Sequence, residues 1–254
     1  MNYTVITGAS SGIGYEASLA FASRGKNIIA VARREEKLNE LKNEIAVAYP
    51  EVEVITMQVD LSISENVYQL YENLKQHQIE TLINNAGFGN FDSVSEQDLT
   101  KIQNMLNLNI EALTLLSSLF VRDYEQVAGT QLINVSSGGG YTIVADAVTY
   151  CATKFYVSAF TEGLAQELAS KGALMKAKVL APAATETEFA QRSLDVPDFN
   201  YDGTVPQYHT SQEMAQFMLD LYDSDKVVGI VNGETYEFNL VDPIYPYAKR
   251  SSKK

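Results

Sequence analysis

Apolar and polar positions follow two alternating patterns along the chain. Short runs of β-branched and other apolar residues are separated by longer segments in which apolar residues recur every three or four positions. Near-continuous apolar runs are typical of parallel strands buried on both faces, and the longer period is typical of helices. The pattern predicts strands over residues 3–7, 27–32, 52–59, 81–84, 131–136, 176–181 and 227–231. It predicts helices over residues 13–23, 35–48, 65–76, 100–127, 148–170 and 212–222.

The regular alternation of strand and helix predicts an α/β fold. We expect a Rossmann-like, doubly wound parallel sheet of about seven strands with helices on both faces. No linker rich in Pro, Gly or Ser and no internal repeat interrupts the pattern, so we predict one domain over residues 1–254. Residues 185–211 lack a sustained period and follow the sixth predicted strand. A long irregular segment at the carboxyl ends of the strands predicts a substrate loop or lid.

Charge and composition limit the binding partners and the cellular compartment that we expect. The chain has 32 acidic and 19 basic residues, which argues against nucleic acid or an anionic membrane as a partner. Cys151 is the single cysteine, so we expect no internal disulfide and a cytoplasmic protein. Asn107, Asn109 and Glu111 interrupt the longest apolar stretch, so we do not expect it to span a membrane. The two histidines are too few and too scattered to predict a metal site.

The sequence "TGASSGIG", residues 7–14, joins the first predicted strand to the first predicted helix. Its glycines permit a tight turn and a close approach of the backbone, and the helix N-terminus offers free N–H groups to a pyrophosphate. A glycine turn without a ligand is the alternative, which the flanking strand and helix disfavour. We therefore predict a dinucleotide site with contacts from Gly8, Ser10, Ser11, Gly12, Ile13 and Gly14.

The end of the second predicted strand indicates which dinucleotide binds. Sites for NAD usually place an acid there to accept the ribose 2′-hydroxyl. This chain has Ala32 followed by Arg33 and Arg34, and guanidinium groups suit a 2′-phosphate. The sequence favours NADP(H). NAD(H) stays possible, because both arginines also begin a charged helix and Ser11 adds no second positive charge to the glycine loop.

A tyrosine and a lysine in "YCATK", Tyr150 and Lys154, are the main candidates for proton chemistry. Residues four apart share one face of a helix. A neighbouring ammonium stabilises the phenolate, so we expect Lys154 to lower the pKa of Tyr150 from its usual value near 10. A solvated lysine lying over a tyrosine ring is the alternative for this pair taken alone.

The glycine loop, "NNAG" at residues 84–87 and this pair, in this order on these elements, resemble the short-chain dehydrogenase/reductase family in its short single-domain branch. The resemblance extends from residue 3 to about residue 231. It implies four catalytic residues: Asn109, Ser137, Tyr150 and Lys154. Asn107 and Ser136 are neighbours that fit the family pattern less well. It also implies cofactor contacts from Asp60, Leu61, Asn85, Ala86, Gly87, Tyr150, Lys154, Pro182 and Thr187.

The resemblance implies an oxidoreductase that interconverts a ketone or aldehyde and an alcohol, with Tyr150 as general acid/base. Family members commonly form dimers or tetramers through the helices that correspond to residues 100–127 and 148–170, so we expect a homodimer or homotetramer. One departure is Ala183, where the family usually has glycine, and we expect it to stiffen the turn beside the nicotinamide. Two other functions stay open: an inactive dinucleotide-binding regulator, and an epimerase or dehydratase.

Overall fold

The computed structural model describes residues 2–248 of the chain. Its strands are β1 (Asn2–Thr7), β2 (Asn27–Ala32), β3 (Val54–Gln58), β4 (Gln78–Asn84), β5 (Gln131–Val135), β6 (Lys176–Ala181), β7 (Thr185–Glu186), β8 (His209–Thr210), β9 (Val228–Val231) and β10 (Phe238–Val241). Its α-helices are α1 (Gly12–Ser23), α2 (Glu35–Ala48), α3 (Ser64–Leu74), α4 (Leu99–Leu106), α5 (Leu113–Tyr124), α6 (Val148–Lys171), α7 (Phe189–Ser193) and α8 (Ser211–Asp223). A π-helical segment, Asn107–Ala112, joins α4 to α5.

Eight strands form the main sheet in the order β10-β9-β6-β5-β4-β1-β2-β3. Neighbours are parallel except β10, which runs antiparallel to β9 at the edge. The predicted α/β class and the mostly parallel, doubly wound sheet are therefore confirmed. The strand order reverses between β1 and β4, and open α/β sheets bind ligands at the carboxyl ends beside such a reversal.

Two hydrophobic clusters cover the two faces of the sheet. One joins α1, α2 and α8 to the sheet through buried residues such as Phe21, Leu41 and Met218. The other joins α3, α5 and α6 to the opposite face through residues such as Leu70 and Phe120. Burying each of these large side chains stabilises the fold by about 1.5–3 kcal/mol. The helices on both faces agree with the predicted layers, and the single-domain organisation stays a prediction.

The structure adds a strand that the hydrophobic pattern did not reveal. β10 follows β9 through a tight turn, in which the Asn232 side chain accepts from the N–H groups of Glu234 and Thr235 at 2.8 and 3.0 Å. None of its four residues is fully buried. Because an edge strand needs little apolar sequence on its outer side, its pattern resembles that of a loop.

The segment predicted as a lid has short regular elements. β7 pairs with β8 in a separate two-stranded sheet, and α7 lies between them in the chain. Farther along the segment, the aromatic rings of Phe199, Tyr201 and Tyr208 pack on one another at centroid distances of 4.9 and 5.2 Å. The predicted lid therefore contains regular secondary structure and follows β6 at the carboxyl ends of the strands.

One helical run in the described residues, Leu99–Tyr124, has the length and hydropathy of a membrane span. Leu116 and Phe120 on this run are 1% exposed and belong to the cluster on one face of the sheet. Packing against the sheet explains its apolar composition, as in the core helices of many globular proteins.

Candidate active site

The glycine loop packs tightly between the ends of β1, β2 and β4. Gly8 and Gly12 have φ of 71° and 55°, a backbone conformation that glycine adopts without strain. The Gly8 N–H donates to the Val31 carbonyl at 2.8 Å. A Cβ at Gly8 would lie 2.8 Å from Asn85 Nδ2, and one at Gly12 would lie 2.8 Å from Thr187 Cγ2. The loop therefore requires glycine at both positions.

Thr7, the last residue of β1, forms most of the hydrogen bonds that hold the segment after β4. The N–H groups of Asn85 and Ala86 both donate to Thr7 Oγ1 at 3.0 Å. Asn85 Nδ2 also donates to the Thr7 carbonyl at 2.9 Å. These bonds fix the predicted cofactor segment, residues 85–87, against the glycine loop at the point where the strand order reverses.

The two arginines after β2 point to different partners. Arg34 Nε donates to Ser10 Oγ at 3.3 Å, and its terminal nitrogens bond Glu188 at 3.2 and 2.9 Å. Arg33 is more exposed, and its guanidinium lies 3.9 Å from the Asp60 carboxylate. Burial opposes ionisation of Asp60, but hydrogen bonds from Ser62 and the charge of Arg33 leave its pKa below the usual value. Both guanidinium groups beside the glycine loop therefore face a carboxylate, Glu188 for Arg34 and Asp60 for Arg33.

Tyr150 and Lys154 lie on one buried face of α6. The Lys154 ammonium lies 5.8 Å from the centroid of the Tyr150 ring and donates to the Val135 carbonyl at 3.0 Å. Burial lowers the pKa of Lys154 to about 8. Burial also raises the pKa of Tyr150, and the Ser137 hydroxyl acts in the opposite direction. The structure does not bear out the expectation that Lys154 lowers the pKa of Tyr150, because the ammonium is directed at a backbone carbonyl and the pKa is shifted by burial and Ser137 instead.

The two serines at the end of β5 have different surroundings. Ser136 Oγ donates to the Lys154 carbonyl at 2.9 Å and shares a hydrogen bond with Ser158 Oγ at 2.7 Å. Ser137 Oγ accepts from the Gly139 N–H at 3.1 Å. A Cβ at Gly139 would lie 3.5 Å from Ser137 Oγ and 3.6 Å from Tyr150 Cε1. Ser136 therefore ties the strand to α6, and Ser137 lies beside Tyr150.

Asn109 reaches the same place from the π-helical segment. Its Nδ2 donates to the Phe88 carbonyl at 2.9 Å and to Thr153 Oγ1 at 3.2 Å. A Cβ at Gly87 would lie 3.0 Å from Asn109 Oδ1 and 3.5 Å from Lys154 Nζ. The rival Asn107 instead donates to the Ser62 carbonyl at 3.3 Å. Asn109 is thus the asparagine that lies close to Lys154.

The turn after β6 brings the last predicted residues to the loop. The Pro182 carbonyl accepts from the Gly138 N–H at 2.6 Å, next to Ser137. Thr187 packs against Gly12, where a Cβ would lie 2.8 Å from Thr187 Cγ2. Among the described residues, the non-glycine positions with positive φ are Asp146, Asp195 and Tyr236. Ala183 is not one of them, so the alanine there causes no backbone strain.

Aromatic side chains cover Tyr150. The Phe189 ring, on α7, lies 5.4 Å from the Tyr150 ring, and the Phe91 ring lies 6.2 Å from it. Met105 and Cys151 complete a small hydrophobic cluster. Cys151 is 1% exposed and its Sγ accepts from the Val144 N–H at 3.4 Å, as expected of a packing residue.

Three contributions were missed by sequence reasoning. Thr153 bonds Asn109 from inside the "YCATK" motif, and Phe91 stands over Tyr150. Glu188 bonds Arg34 from the lid, 154 positions away. The position of Thr153 on the face next to Lys154 was the available signal for that residue. No local pattern marks a salt bridge between distant segments.

Within residues 2–248, no group of three or more His, Cys, Asp and Glu side chains is arranged to hold a metal ion. His77 packs edge-on against Tyr3 at 5.2 Å. His209 lies in β8 between the rings of Phe217 and Tyr236 at 5.2 and 5.9 Å. Both histidines are therefore in aromatic packing environments.

The sequence over residues 2–196 matches the family model described as short chain dehydrogenase. The chain therefore belongs to the short-chain dehydrogenase/reductase family, whose fold binds nicotinamide dinucleotides. It is 32% identical over 193 residues to Dehydrogenase/reductase SDR family member 11 of Homo sapiens, a match that covers 73% of this chain and 74% of that protein.

Two solved structures extend the comparison. A short-chain dehydrogenase from Sphingobium yanoikuyae in complex with NADPH has a TM-score of 0.83 and 29% identity, covering 91% of this chain and 87% of that chain. The bulky-bulky ketone specific alcohol dehydrogenase from Comamonas testosteroni has a TM-score of 0.78 and 28% identity, covering 91% and 86%. The family and the fold therefore agree with the resemblance found in the sequence.

Proposed function

We propose that this protein is an NADP(H)-preferring oxidoreductase that interconverts a ketone or aldehyde and an alcohol. One observation carries the proposal: Asn109, Ser137, Tyr150 and Lys154 come from three separate elements and converge next to Gly87, in the segment that Thr7 binds to the start of the glycine loop. Any one of them has an ordinary structural explanation. Their convergence at the carboxyl edge of the sheet supports a catalytic role for all four.

The surroundings of the glycine loop fit a dinucleotide. Gly8, Gly12 and Gly14 let the loop pack closely against Asn85, Ala86 and Thr187, and the loop leads directly into the N-terminus of α1, where free N–H groups can bind a pyrophosphate. We assign the pyrophosphate to this loop and to Ser10, Ser11 and Ile13. The adenosine would contact Asp60, Leu61, Asn85, Ala86 and Gly87. The nicotinamide end would contact Tyr150, Lys154, Pro182 and Thr187.

The preference for NADP(H) is supported by charge. Ala32 supplies no carboxylate for a ribose 2′-hydroxyl, and Arg33 and Arg34 supply two guanidinium groups. The related structure from Sphingobium yanoikuyae contains NADPH. NAD(H) is the alternative cofactor.

The bound dinucleotide would supply the hydride, and the protein would supply the proton and orient the reactants. Tyr150 would donate its phenolic proton to the carbonyl oxygen of the substrate. Ser137 would donate a hydrogen bond to the same oxygen and stabilise the negative charge that develops there. Lys154 would bind the ribose hydroxyls with its ammonium. Asn109 would orient a water that connects Lys154 to solvent, so that the proton is replaced.

Tyr150 is protonated at neutral pH, as a proton donor must be. Burial raises its pKa and so makes the phenol a weaker acid than a free tyrosine, and the hydrogen bond with Ser137 acts in the opposite direction. The Phe91 and Phe189 rings keep water from Tyr150, which strengthens its hydrogen bonds to a substrate. An apolar surface near the phenol also favours an uncharged carbonyl compound.

A screen of NADPH oxidation over aldehydes, diketones, quinones and keto-esters, repeated with NADH, tests the proposal.

We expect Tyr150→Phe to lower turnover by roughly 10²–10⁴-fold, because the proton donor is lost. Its NADPH dissociation constant should stay within about twofold, since the ring and its packing remain. Undiminished turnover in this variant would contradict the role of Tyr150.

The same assay distinguishes the oxidoreductase from the other candidate functions. Binding of NADPH without oxidation over the whole screen would favour a dinucleotide-binding regulator. Turnover of a substrate without net consumption of cofactor would favour an epimerase or dehydratase. Cofactor consumed in a one-to-one ratio with product supports the oxidoreductase.

We also propose a cytoplasmic homodimer or homotetramer. Ala152 and Ala159 are exposed on α6, and the neighbouring Tyr156 and Phe160 are half-buried with stacked rings 5.8 Å apart. These side chains form an apolar stripe along the outside of α6, which a second copy of the chain would cover.

A further inference from the structure

The carboxylate of Glu188, from the lid, forms an ion pair with the guanidinium of Arg34. Arg34 is one of the two arginines that we assign to binding the 2′-phosphate of the cofactor. Glu188 lies immediately before α7, and its two oxygens bond the two terminal nitrogens of Arg34 at 3.2 and 2.9 Å. The same Arg34 donates to Ser10 Oγ and to the Ser10 carbonyl in the glycine loop, each at 3.3 Å. A fork-shaped pairing of this kind is the geometry in which arginine binds a carboxylate or a phosphate.

Glu188 is well suited to hold this position as an anion. Arg192, one helical turn farther along, also bonds the Glu188 carboxylate. Partial burial opposes ionisation, but Arg34 and Arg192 together leave the pKa of Glu188 below its usual value. The carboxylate therefore stays charged at neutral pH.

We propose that Glu188 is a specificity-determining residue that competes with the cofactor 2′-phosphate for Arg34. The inference rests on the proposed function, in which Arg34 binds that phosphate. One guanidinium fork cannot pair fully with two anions, so a dinucleotide with a 2′-phosphate must displace Glu188 from Arg34. A dinucleotide without the phosphate leaves the pair in place. Glu188 thus weakens the binding of NADP(H) and reduces the preference of the protein for NADP(H) over NAD(H).

The size of the effect follows from the exposure of the pair. The Arg34 and Glu188 side chains are 35% and 36% exposed. Ion pairs with this much solvent contact are weak, so removing the competitor should improve binding of a 2′-phosphate by roughly two- to sixfold.

Two adenosine nucleotides test the competition without any hydride transfer. Adenosine 2′,5′-bisphosphate has the 2′-phosphate, and adenosine 5′-monophosphate lacks it. Titration calorimetry would give dissociation constants of both for the wild type, for Glu188→Gln and for Glu186→Gln. Glu186 is an exposed acid in the same segment, so its variant controls for the change in net charge. We expect Glu188→Gln to bind the bisphosphate about two- to sixfold more tightly, with the monophosphate unchanged and Glu186→Gln like the wild type.

Several results would overturn the competition. Bisphosphate affinity in Glu188→Gln that equals that of Glu186→Gln would mean that Glu188 does not compete. Weaker binding would mean that Glu188 holds Arg34 in place for the phosphate. Glu188→Ala removes the carboxylate together with the side chain and must change the affinity in the same direction as Glu188→Gln.

Different results would contradict the competition by Glu188 and the proposed preference for NADP(H). If neither the wild type nor any variant binds the bisphosphate better than the monophosphate, the 2′-phosphate assignment of the proposed function is wrong. If the wild type prefers the bisphosphate and Glu188→Gln leaves that preference unchanged or smaller, the role of Glu188 alone is wrong.

Discussion

Lys154 has the buried charge on which the proposed site most depends. Its ammonium lies in a closed environment beside Gly87 and Asn109, and the Val135 carbonyl accepts its hydrogen bond. A single carbonyl compensates only part of the cost of burying a cation, which is why its pKa falls to about 8. A dinucleotide that brings ribose hydroxyls to this ammonium would add partners for the charge.

The lowered pKa of Lys154 predicts how cofactor use depends on pH. The ammonium is present below about pH 8 and is lost as the pH rises through that value. Because the charged form is the one proposed to bind the ribose, we expect kcat/KM for NADPH to fall above about pH 8, toward tenfold per pH unit. This parameter reports groups of the free enzyme, so initial rates at low NADPH across pH 6–10 measure it.

A lysine-to-arginine change is the control for this profile. The guanidinium of Lys154→Arg stays charged across the whole range. Whatever activity this variant retains should therefore show no decline near pH 8. A wild-type profile that is flat up to pH 9.5 would contradict the assignment of Lys154.

Arg33 permits a second prediction at the residue scale. It is 61% exposed and faces Asp60, so its contribution to a 2′-phosphate is that of a solvated charge. We expect Arg33→Ala to raise the NADPH dissociation constant roughly three- to tenfold and to change the NADH constant much less. Quenching of protein fluorescence or calorimetry measures both constants.

Arg24 supplies the matched variant for this measurement. It is an exposed arginine paired with Asp223, away from the glycine loop in the chain. Arg24→Ala removes the same charge and should leave both constants unchanged. An equal increase for NADPH and NADH in Arg33→Ala would refute the 2′-phosphate assignment for that residue.

At the scale of elements, the π-helical segment explains how Asn109 enters the site. A π-helical turn inserts an extra residue into a helix and is frequent at functional positions. In this chain it lies between α4 and α5, and it directs Asn109 toward Phe88 and Thr153. The insertion thus supplies a polar side chain inside an otherwise apolar helical run.

The junction of β6 and α8 depends on one buried lysine. Lys178 is 1% exposed, and its ammonium donates to the carbonyls of Leu221, Tyr222 and Ser224 at 2.8, 2.8 and 2.7 Å. These are carbonyls at the C-terminal end of α8, which have no partner inside the helix. We expect Lys178→Met to lower the free energy of unfolding by about 1–3 kcal/mol, because three carbonyls lose the ammonium as a donor and only those of Leu221 and Tyr222 keep another, from Ser224 and Gln131. Urea unfolding measures this change.

Lys176, two positions earlier on the same strand, is the matched control. Its ammonium pairs with Asp225 at 2.6 Å, but the two side chains are 54% and 94% exposed. Lys176→Met should therefore cost less than about 1 kcal/mol. Equal losses in the two variants would show that Lys178 does not support the end of α8 in the way described.

Most of the elements could be predicted because each has a local signal. β2 and α2 have the predicted bounds, since apolar period and charge pattern both change at their ends. β10 could not be predicted, because its partner β9 and not its own composition defines it as a strand. The π-helical segment could not either, since an extra residue in a helical turn leaves the apolar period nearly unchanged.

The candidate site could be predicted as far as its motifs extend. The glycine loop and the Tyr–Lys pair can be read locally, and the family resemblance added Asn109 and Ser137. The pKa of Tyr150 could not be predicted, because it depends on burial under Phe91 and Phe189 from distant segments. For the same reason the sequence did not indicate that Glu188 meets Arg34.

At the scale of the whole molecule, the sheet brings distant segments to one edge. Thr7, Asn85, Ser137 and Pro182 follow or end β1, β4, β5 and β6, which are neighbours in the sheet. Hydrogen bonds connect them in pairs, Thr7 with Asn85 and Pro182 with Gly138 beside Ser137. The proposed site is therefore a consequence of the parallel strand order, and substitutions that shift one strand end would move several of its residues.

The apolar stripe on α6 leads to a prediction about assembly. Ala152 and Ala159 are exposed while Tyr156 is half-buried, and its hydroxyl shares a hydrogen bond with Thr114 Oγ1 on α5 at 2.8 Å. If a second copy covers this stripe, a charge at its centre must be desolvated in the assembly. We expect Ala159→Glu to shift the protein toward a monomer in light scattering after gel filtration, at protein concentrations where the wild type is a dimer or tetramer.

A second glutamate on the same helix shows whether the stripe or the added charge is responsible. Ala169 is exposed near the end of α6 and lies about 80° around the helix from Ala159, on the side away from Tyr156 and Phe160. Ala169→Glu adds the same charge away from the stripe and should keep the wild-type mass. A monomeric wild type, or a dimer that Ala159→Glu leaves intact, would contradict the stripe as an interface. Because Ala159 does not line the proposed site, any loss of turnover in the monomeric variant would indicate that assembly supports the position of α6 and with it Tyr150 and Lys154.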